Sequence, residues 1–305
     1  METPFDATIE KRNNRRRLSL SQLLWIGVGA LVLFPVEAMV CRMIEPLSNF
    51  WTNVIFTLAQ VGVPLVVYCS VENLKLCAKP IRFILWLLLG GIVTALLNLI
   101  LDGRSPDNYP FQLSYILLVV LSIDSIVEWR KNGVQKRTLL FPALLALTVC
   151  LHYLCRHMAD VVLYRSDSII PADRTEVLWW FFAMDMFPYA TMGALIPLAC
   201  VWYYAKKKRT QCWAIVGYGL LSVLVRSAQF SQITIIHNLS NGIIPVLLGS
   251  AFVDSRVFAM LAIPFILRYE QREGMALSLR KHGFIILMYL ALDYAIGLIP
   301  AMSNS

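Results

Sequence analysis

Apolar stretches long enough to span a bilayer alternate with short polar ones from Leu18 to Met302. At about 20 residues per crossing, the pattern predicts helices near residues 18–40, 51–71, 81–101, 111–127, 139–155, 177–204 and 211–226, with a last one near 283–302. Residues 231–268 are less regular. Their stretch "NGIIPVLLGSAFVDSRVFAMLAIPFIL" holds Pro245, Asp254 and Arg256 and divides into two short apolar pieces. One broken crossing accounts for it, and so does a re-entrant segment followed by a crossing. The expected fold is all-α: a polytopic membrane bundle of about nine or ten transmembrane helices. Residues 1–17 form a basic cytoplasmic tail and residues 18–303 a single transmembrane domain. No internal repeat or low-complexity tract interrupts the pattern.

Composition agrees, with 58% hydrophobic and 15% charged residues against roughly 25% charged in soluble domains. Residues 18–40 exceed a signal-peptide core and lack an Ala-x-Ala-like cleavage site, so a retained first helix is expected. The seven cysteines form no CxxC pair. "CLHYLCRH" brings together Cys150, His152, Cys155 and His157, but a helix spreads these around more than one face. An interfacial helix end is the expectation there, with no metal.

The net charge of +8 lies in short loops, which points to membrane orientation and not to nucleic acid. Lys11, Arg12, Arg15, Arg16 and Arg17 precede the first crossing, and only Arg42 follows it. Lys75, Lys79 and Arg82 come next, then a loop with Arg104 between Asp102 and Asp107. Arg130, Lys131, Lys136 and Arg137 precede an acid-rich loop with Asp160, Asp167, Asp173 and Glu176. Lys206, Lys207, Lys208 and Arg209 close the series. Such alternation predicts a cytoplasmic N-terminus by the positive-inside rule.

Within the apolar segments a few ionisable residues stand out, because a charge in hydrocarbon costs about 3 kcal/mol or more. Asp185 is predicted about 12 Å deep from the outer end of its crossing, and Pro188 beyond it fits a local opening of the helix. Glu37, Arg226 and His237 are also expected in the outer half, where all four residues could converge on one polar pocket. Asp124 lies nearer the cytoplasmic side, and a bond to a neighbouring helix is its plainest reading. No Walker loop, GxSxG, HExxH or Rossmann glycine pattern is present.

Three stretches resemble the TraX-like membrane proteins. "VGVPLVVYCSVENLKLCAKPIRFILWLLLGGIV" carries Pro64, Glu72 and Arg82 at matching places, with Asn73 where that family has glycine. "FAMLAIPFILRYEQREG" and "RKHGFIILMYLALDYAIGL" supply Tyr269, Arg272, Gly274 and Lys281. "MDMFPYATMGAL" sets Asp185 on the family aspartate and Gly193 on its later glycine. The first helix ends in "FPVEAMV" in place of Asp-His, and the last reads "MYLALDY" in place of Tyr-Pro-x-His. The resemblance implies a multi-pass acyltransferase of the bacterial inner membrane. It would move an acetyl group from acetyl-CoA to a peptide, pilin-like or glycan acceptor.

On that reading Arg82, Lys206, Lys207 and Arg209 attract the phosphates of CoA. Asp185 or Glu37 is the base, Arg226 stabilises the oxyanion, and His237 completes the catalytic set. Membrane lipids are the other partner. The alternative is a non-catalytic membrane subunit, an immunity protein or a small-solute transporter on the same scaffold, which the two missing family histidines favour.

Overall fold

The computed structural model describes residues 18–33, 57–100, 109–133, 139–150, 195–220, 255–269 and 281–285, and singly 36, 54, 55, 288, 289, 291, 292, 295 and 296. Among these the chain is all-α, and no strand element forms. An isolated bridge joins Leu18 to Tyr269.

Helix α1 (Leu20–Leu31) opens on a capping box. The Ser19 hydroxyl accepts from the Gln22 amide at 3.3 Å, and Gln22 Oε1 accepts from the Ser19 amide at 2.9 Å. Two of the N–H groups that a helix start leaves unbonded are satisfied in this way. Helix α2 (Gly62–Leu76) packs along α1. Glycine is required at the crossing. A Cβ on Gly62 would stand 2.6 Å from the Gly27 carbonyl oxygen and 2.7 Å from the Leu31 nitrogen, both backbone atoms.

Helix α3 (Pro80–Ile100) starts on a proline, whose missing N–H costs nothing at a first helical position. It pairs with α4 (Tyr109–Asn132), and the approach is again set by glycine, since a Cβ on Gly91 would meet the Phe111 ring at 2.4 Å. Helix α4 ends at Gly133, whose φ of 77° is the left-handed conformation that glycine adopts freely. Helices α5 (Leu139–Cys150), α6 (Leu195–Tyr204) and α7 (residues 208–220) follow. A 3-10 segment (Ser255–Ala262) then leads into α8 (Ile263–Arg268).

Helix α2 is the centre, touching α1, α4, α6 and the 3-10 segment. It is buried around nearly its whole circumference from Gly62 to Leu74. By contrast α3 buries Phe83, Ile84 and Leu87 and exposes Leu85, Trp86, Leu89, Ile92 and Val93. Spaced at one and two turns, these five form an apolar outer stripe. Among the described residues one helix, Pro110–Asn132, is long and apolar enough to cross a membrane, and 67% of its most apolar stretch is buried within the protein.

Two sequence expectations are refined. The crossing expected at 51–71 continues helically to Leu76, so Glu72, Asn73 and Lys75 lie on α2 and not in a loop. Loop charge reports the side of a membrane but not where a helix stops. Here Lys75 pairs with Glu72 one turn back and the helix ends only before Pro80. Within residues 231–268, the described part is a 3-10 run passing into α-helix at Ile263, next to Pro264, which has no N–H to continue an α-ladder backwards.

Candidate functional site

Tyr68, Glu72 and Lys75 recur at helical spacing and so share one face of α2. That face meets Gln211, at the start of α7. The Tyr68 hydroxyl donates to Gln211 Oε1 at 2.9 Å, and Gln211 Nε2 donates to Glu72 Oε1 at 3.1 Å and to the Ala205 carbonyl at 3.1 Å. Lys75 Nζ reaches the same Glu72 oxygen at 2.5 Å. The Trp202 indole N–H donates to the Gln211 carbonyl at 3.0 Å, which ties α6 to the start of α7. Gln211 is thus a hinge pin between three helices, with its amide and its backbone carbonyl both engaged.

Glu72 is only 2% exposed. A buried carboxylate is tolerable when it is paired and hydrogen-bonded, and Lys75 and Gln211 provide both on one oxygen. Aromatic rings enclose the cluster. Tyr68 meets Trp202 and Tyr269 edge-on, with ring centroids 5.2 and 5.9 Å away. Lys208 Nζ lies 5.2 Å from the centre of the Tyr269 ring, within cation–π range. Burial, and then the Glu72 charge, push the Tyr269 hydroxyl above its ordinary range, so it stays protonated.

The opposite face of α2 carries a second polar group. Ser70 Oγ donates to the Val66 carbonyl at 2.9 Å, and His282 Nε2 lies 3.3 Å from the same oxygen. The hydroxyl has one hydrogen, already committed, so the contact places the imidazole proton on Nε2 and leaves a lone pair on Nδ1. Phe83 meets the imidazole edge-on at 4.9 Å. Burial lowers the His282 pKa to about 3, and the ring is neutral. Three side-chain atoms at this face are buried with no hydrogen-bond partner among the described residues: His282 Nδ1, Asn73 Nδ2 and Asn73 Oδ1. An unsatisfied buried polar group costs about 1–3 kcal/mol.

Of the residues read as functional from the sequence, Asp185, Glu37, Arg226 and His237 lie outside the described residues. Arg82, Lys206, Lys207 and Arg209 are exposed. Asp124 bonds to a neighbouring helix, as its plainest reading had it: Tyr204 and Tyr203 of α6 donate to its two oxygens, each at 3.1 Å.

Sequence reasoning missed Tyr68, Ser70, Gln211 and His282. Tyr68 shares the face of Glu72 by spacing, which was a usable signal. Gln211 and His282 stand beside the basic residues Arg209 and Lys281 and carry no signal of their own. Comparison with protein-family models, with curated proteins and with solved structures gives no match for this chain.

Proposed function

We propose that the chain is a multi-pass membrane acyltransferase, taking acetyl-CoA at the cytoplasmic end of its bundle and serving a peptide, pilin-like or glycan acceptor. One observation carries this reading. Two of the stretches that resemble the TraX-like proteins, 61–93 and 258–298, are far apart in sequence, but their described residues pack together around the end of α2. Tyr269 meets Tyr68 edge-on beside Glu72, and His282 meets Ser70 and Phe83. A convergence of this kind is what a shared site requires, whereas unrelated short likenesses have no reason to meet.

The placement of charge supports the same end as the donor side. Lys75 and Lys208 border the cluster, and Arg82, Lys206, Lys207 and Arg209 are exposed to a polyanionic donor. In this proposal Asp185, Glu37, Arg226 and His237 remain the acceptor-side residues, with Asp185 or Glu37 taking the proton that the acceptor releases. The apolar outer stripe of α3 supports a lipid setting. The test is acetyl transfer by the full chain in lipid nanodiscs, from labelled acetyl-CoA to peptide acceptors. Transfer that is lost in Asp185→Asn, with insertion intact, is expected. Transfer unaffected by Asp185→Asn ends the assignment of that residue, and no transfer to any acceptor ends the acyltransferase reading.

A second reading, a non-catalytic membrane subunit, is favoured by the closure of the Glu72 cluster. At 2% exposure, with Lys75 and Gln211 both on one oxygen, Glu72 could serve packing alone. The same experiment separates the two readings.

A further inference from the structure

Two helices carry the same line of side chains on their outer faces. On α3 it runs Arg82, Trp86, Leu89 and Val93, and on α7 it runs Arg209, Trp213, Val216 and Leu220. Both follow the spacing i, i+4, i+7, i+11, which keeps four residues on one face of a helix. All are exposed except Val216, which is half-buried. Trp86 is 57% exposed and Trp213 62%, so neither ring serves the core, whereas Trp202 is fully buried.

The two lines also start at a similar level. Phe83 meets His282, which lies against Ser70, and Gln211 bonds to Glu72. Trp86 is three residues beyond Phe83 and Trp213 two beyond Gln211. Along its own helix each ring therefore stands about 3–5 Å from a residue held at the last two turns of α2. Helix α4 approaches this end in the same order, with Ile123 and Ile126 exposed before Trp129 and Arg130.

A cation, then an indole, then aliphatic carbon matches the order of phosphate, interface and hydrocarbon in a bilayer. A water-soluble polyanion would use the cation and none of the rest of the line. Charge selects the headgroup. Lys79, Arg130, Lys131, Lys206 and Lys207 are exposed at this end, and among the described residues Glu128 is the one exposed acid. A zwitterionic headgroup would bring its ammonium among like charges. We infer that Arg82 with Trp86, and Arg209 with Trp213, form two seats for an anionic phospholipid. The guanidinium takes the headgroup phosphate, the indole lies at the interface, and the aliphatic residues beyond it meet the acyl chains. The inference rests on the lipid setting and not on acyl transfer. It gives Arg82 and Arg209 to lipid and leaves Lys206 and Lys207 to the donor.

The full chain is placed in phosphatidylcholine nanodiscs holding a small fraction of brominated lipid, either phosphatidylglycerol or phosphatidylcholine. Bromine quenches tryptophan fluorescence on contact, so the two arms compare occupancy beside the rings. Brominated phosphatidylglycerol is expected to quench more at equal fraction. Arg82→Gln and Arg209→Gln, both at exposed positions, are expected to weaken that preference about fivefold at the seat each belongs to. Arg82→Lys and Arg209→Lys are expected to keep most of it, and Trp86→Phe with Trp213→Phe to remove the difference between the lipids. Equal quenching by the two lipids, or a preference that survives the glutamine or the phenylalanine variants, overturns the inference. Adenosine 3′,5′-bisphosphate that abolishes the preference returns both arginines to the donor and overturns it as well. Quenching by neither lipid removes the lipid setting itself, and the inference with it. None of these measurements uses acetyl transfer, so the seats and the acyltransferase reading fail separately.

Discussion

The Glu72–Lys75 pair is unequal, because Glu72 is 2% exposed and Lys75 is 19% exposed. Lys75→Leu leaves a buried carboxylate with only Gln211 for company, whereas Glu72→Gln leaves an ammonium that can reach water. Removing one partner of a fully buried pair costs about 3–5 kcal/mol and of an exposed one about 0–1, so Lys75→Leu is expected between these limits and above Glu72→Gln. Thermal unfolding in detergent measures the order, and a larger loss in Glu72→Gln refutes it. His282 gives a second expectation, in pH. The unfolded imidazole titrates near 6.5 and the folded one near 3. Between these values the unfolded chain binds more protons. Stability from this group is therefore full above about pH 6.5 and is lost as the pH falls towards 3, by up to about 1.4 kcal/mol per unit. His282→Gln is expected to flatten that part of the profile, and unfolding midpoints from about pH 4 to 7 check it.

At the scale of the element, glycine decides how closely α1 and α2 can run. Alanine at Gly62 meets two backbone atoms of α1, and neither can turn aside, so the helices must part. Overpacking of this order costs about 1–3 kcal/mol. Gly217 on α7 faces open space, and alanine there is expected to gain up to about 1 kcal/mol of helix propensity. Unfolding midpoints that fall for Gly62→Ala and hold or rise for Gly217→Ala agree with this, and equal shifts do not. Among the described residues the all-α character was legible, since long apolar runs leave few other structures. The centrality of α2 was not. Its polar residues, from Tyr68 to Lys75, read as an approach to a loop, because sequence pattern cannot separate a helix end from a buried helix whose polar groups are satisfied by distant partners. Gln211 supplies that partner from far along the chain, and a glutamine after "KKKRT" carries no mark of its role. The acid–tyrosine bonds of Asp124 were half legible: a neighbouring helix was expected, but not the "YY" pair that closes on it.

For the whole molecule, the contacts join chain positions that the charge alternation assigns to one side. Leu18 donates its amide hydrogen to the Arg268 carbonyl at 2.9 Å, Tyr269 meets Tyr68 edge-on, Gln211 bonds to Glu72, and Tyr203 bonds to Asp124. His282 closes on Ser70. The start of α1, the end of α2, the latter part of α4, the end of α6, the start of α7, the end of α8 and the start of the final segment therefore meet at a common end. Loop charge predicts the cytoplasm at the first five, and Arg268, Arg272, Arg280 and Lys281 do the same for the last two. Packing thus gathers these ends without saying which side they face, and the proposal of a cytoplasmic N-terminus rests on the basic residues. The orientation can be measured directly. With the native cysteines removed, single cysteines at Asp107, Asp167 and Val134 are treated with a membrane-impermeant thiol reagent applied from outside intact cells. Labelling is expected at 107 and 167, and at 134 only after the membrane is opened. Labelling at 134 with protection at 107 and 167 inverts the bundle. It would move the Glu72 cluster and the exposed lysines beside it away from cytoplasmic acetyl-CoA, and the proposed donor side would be lost with them.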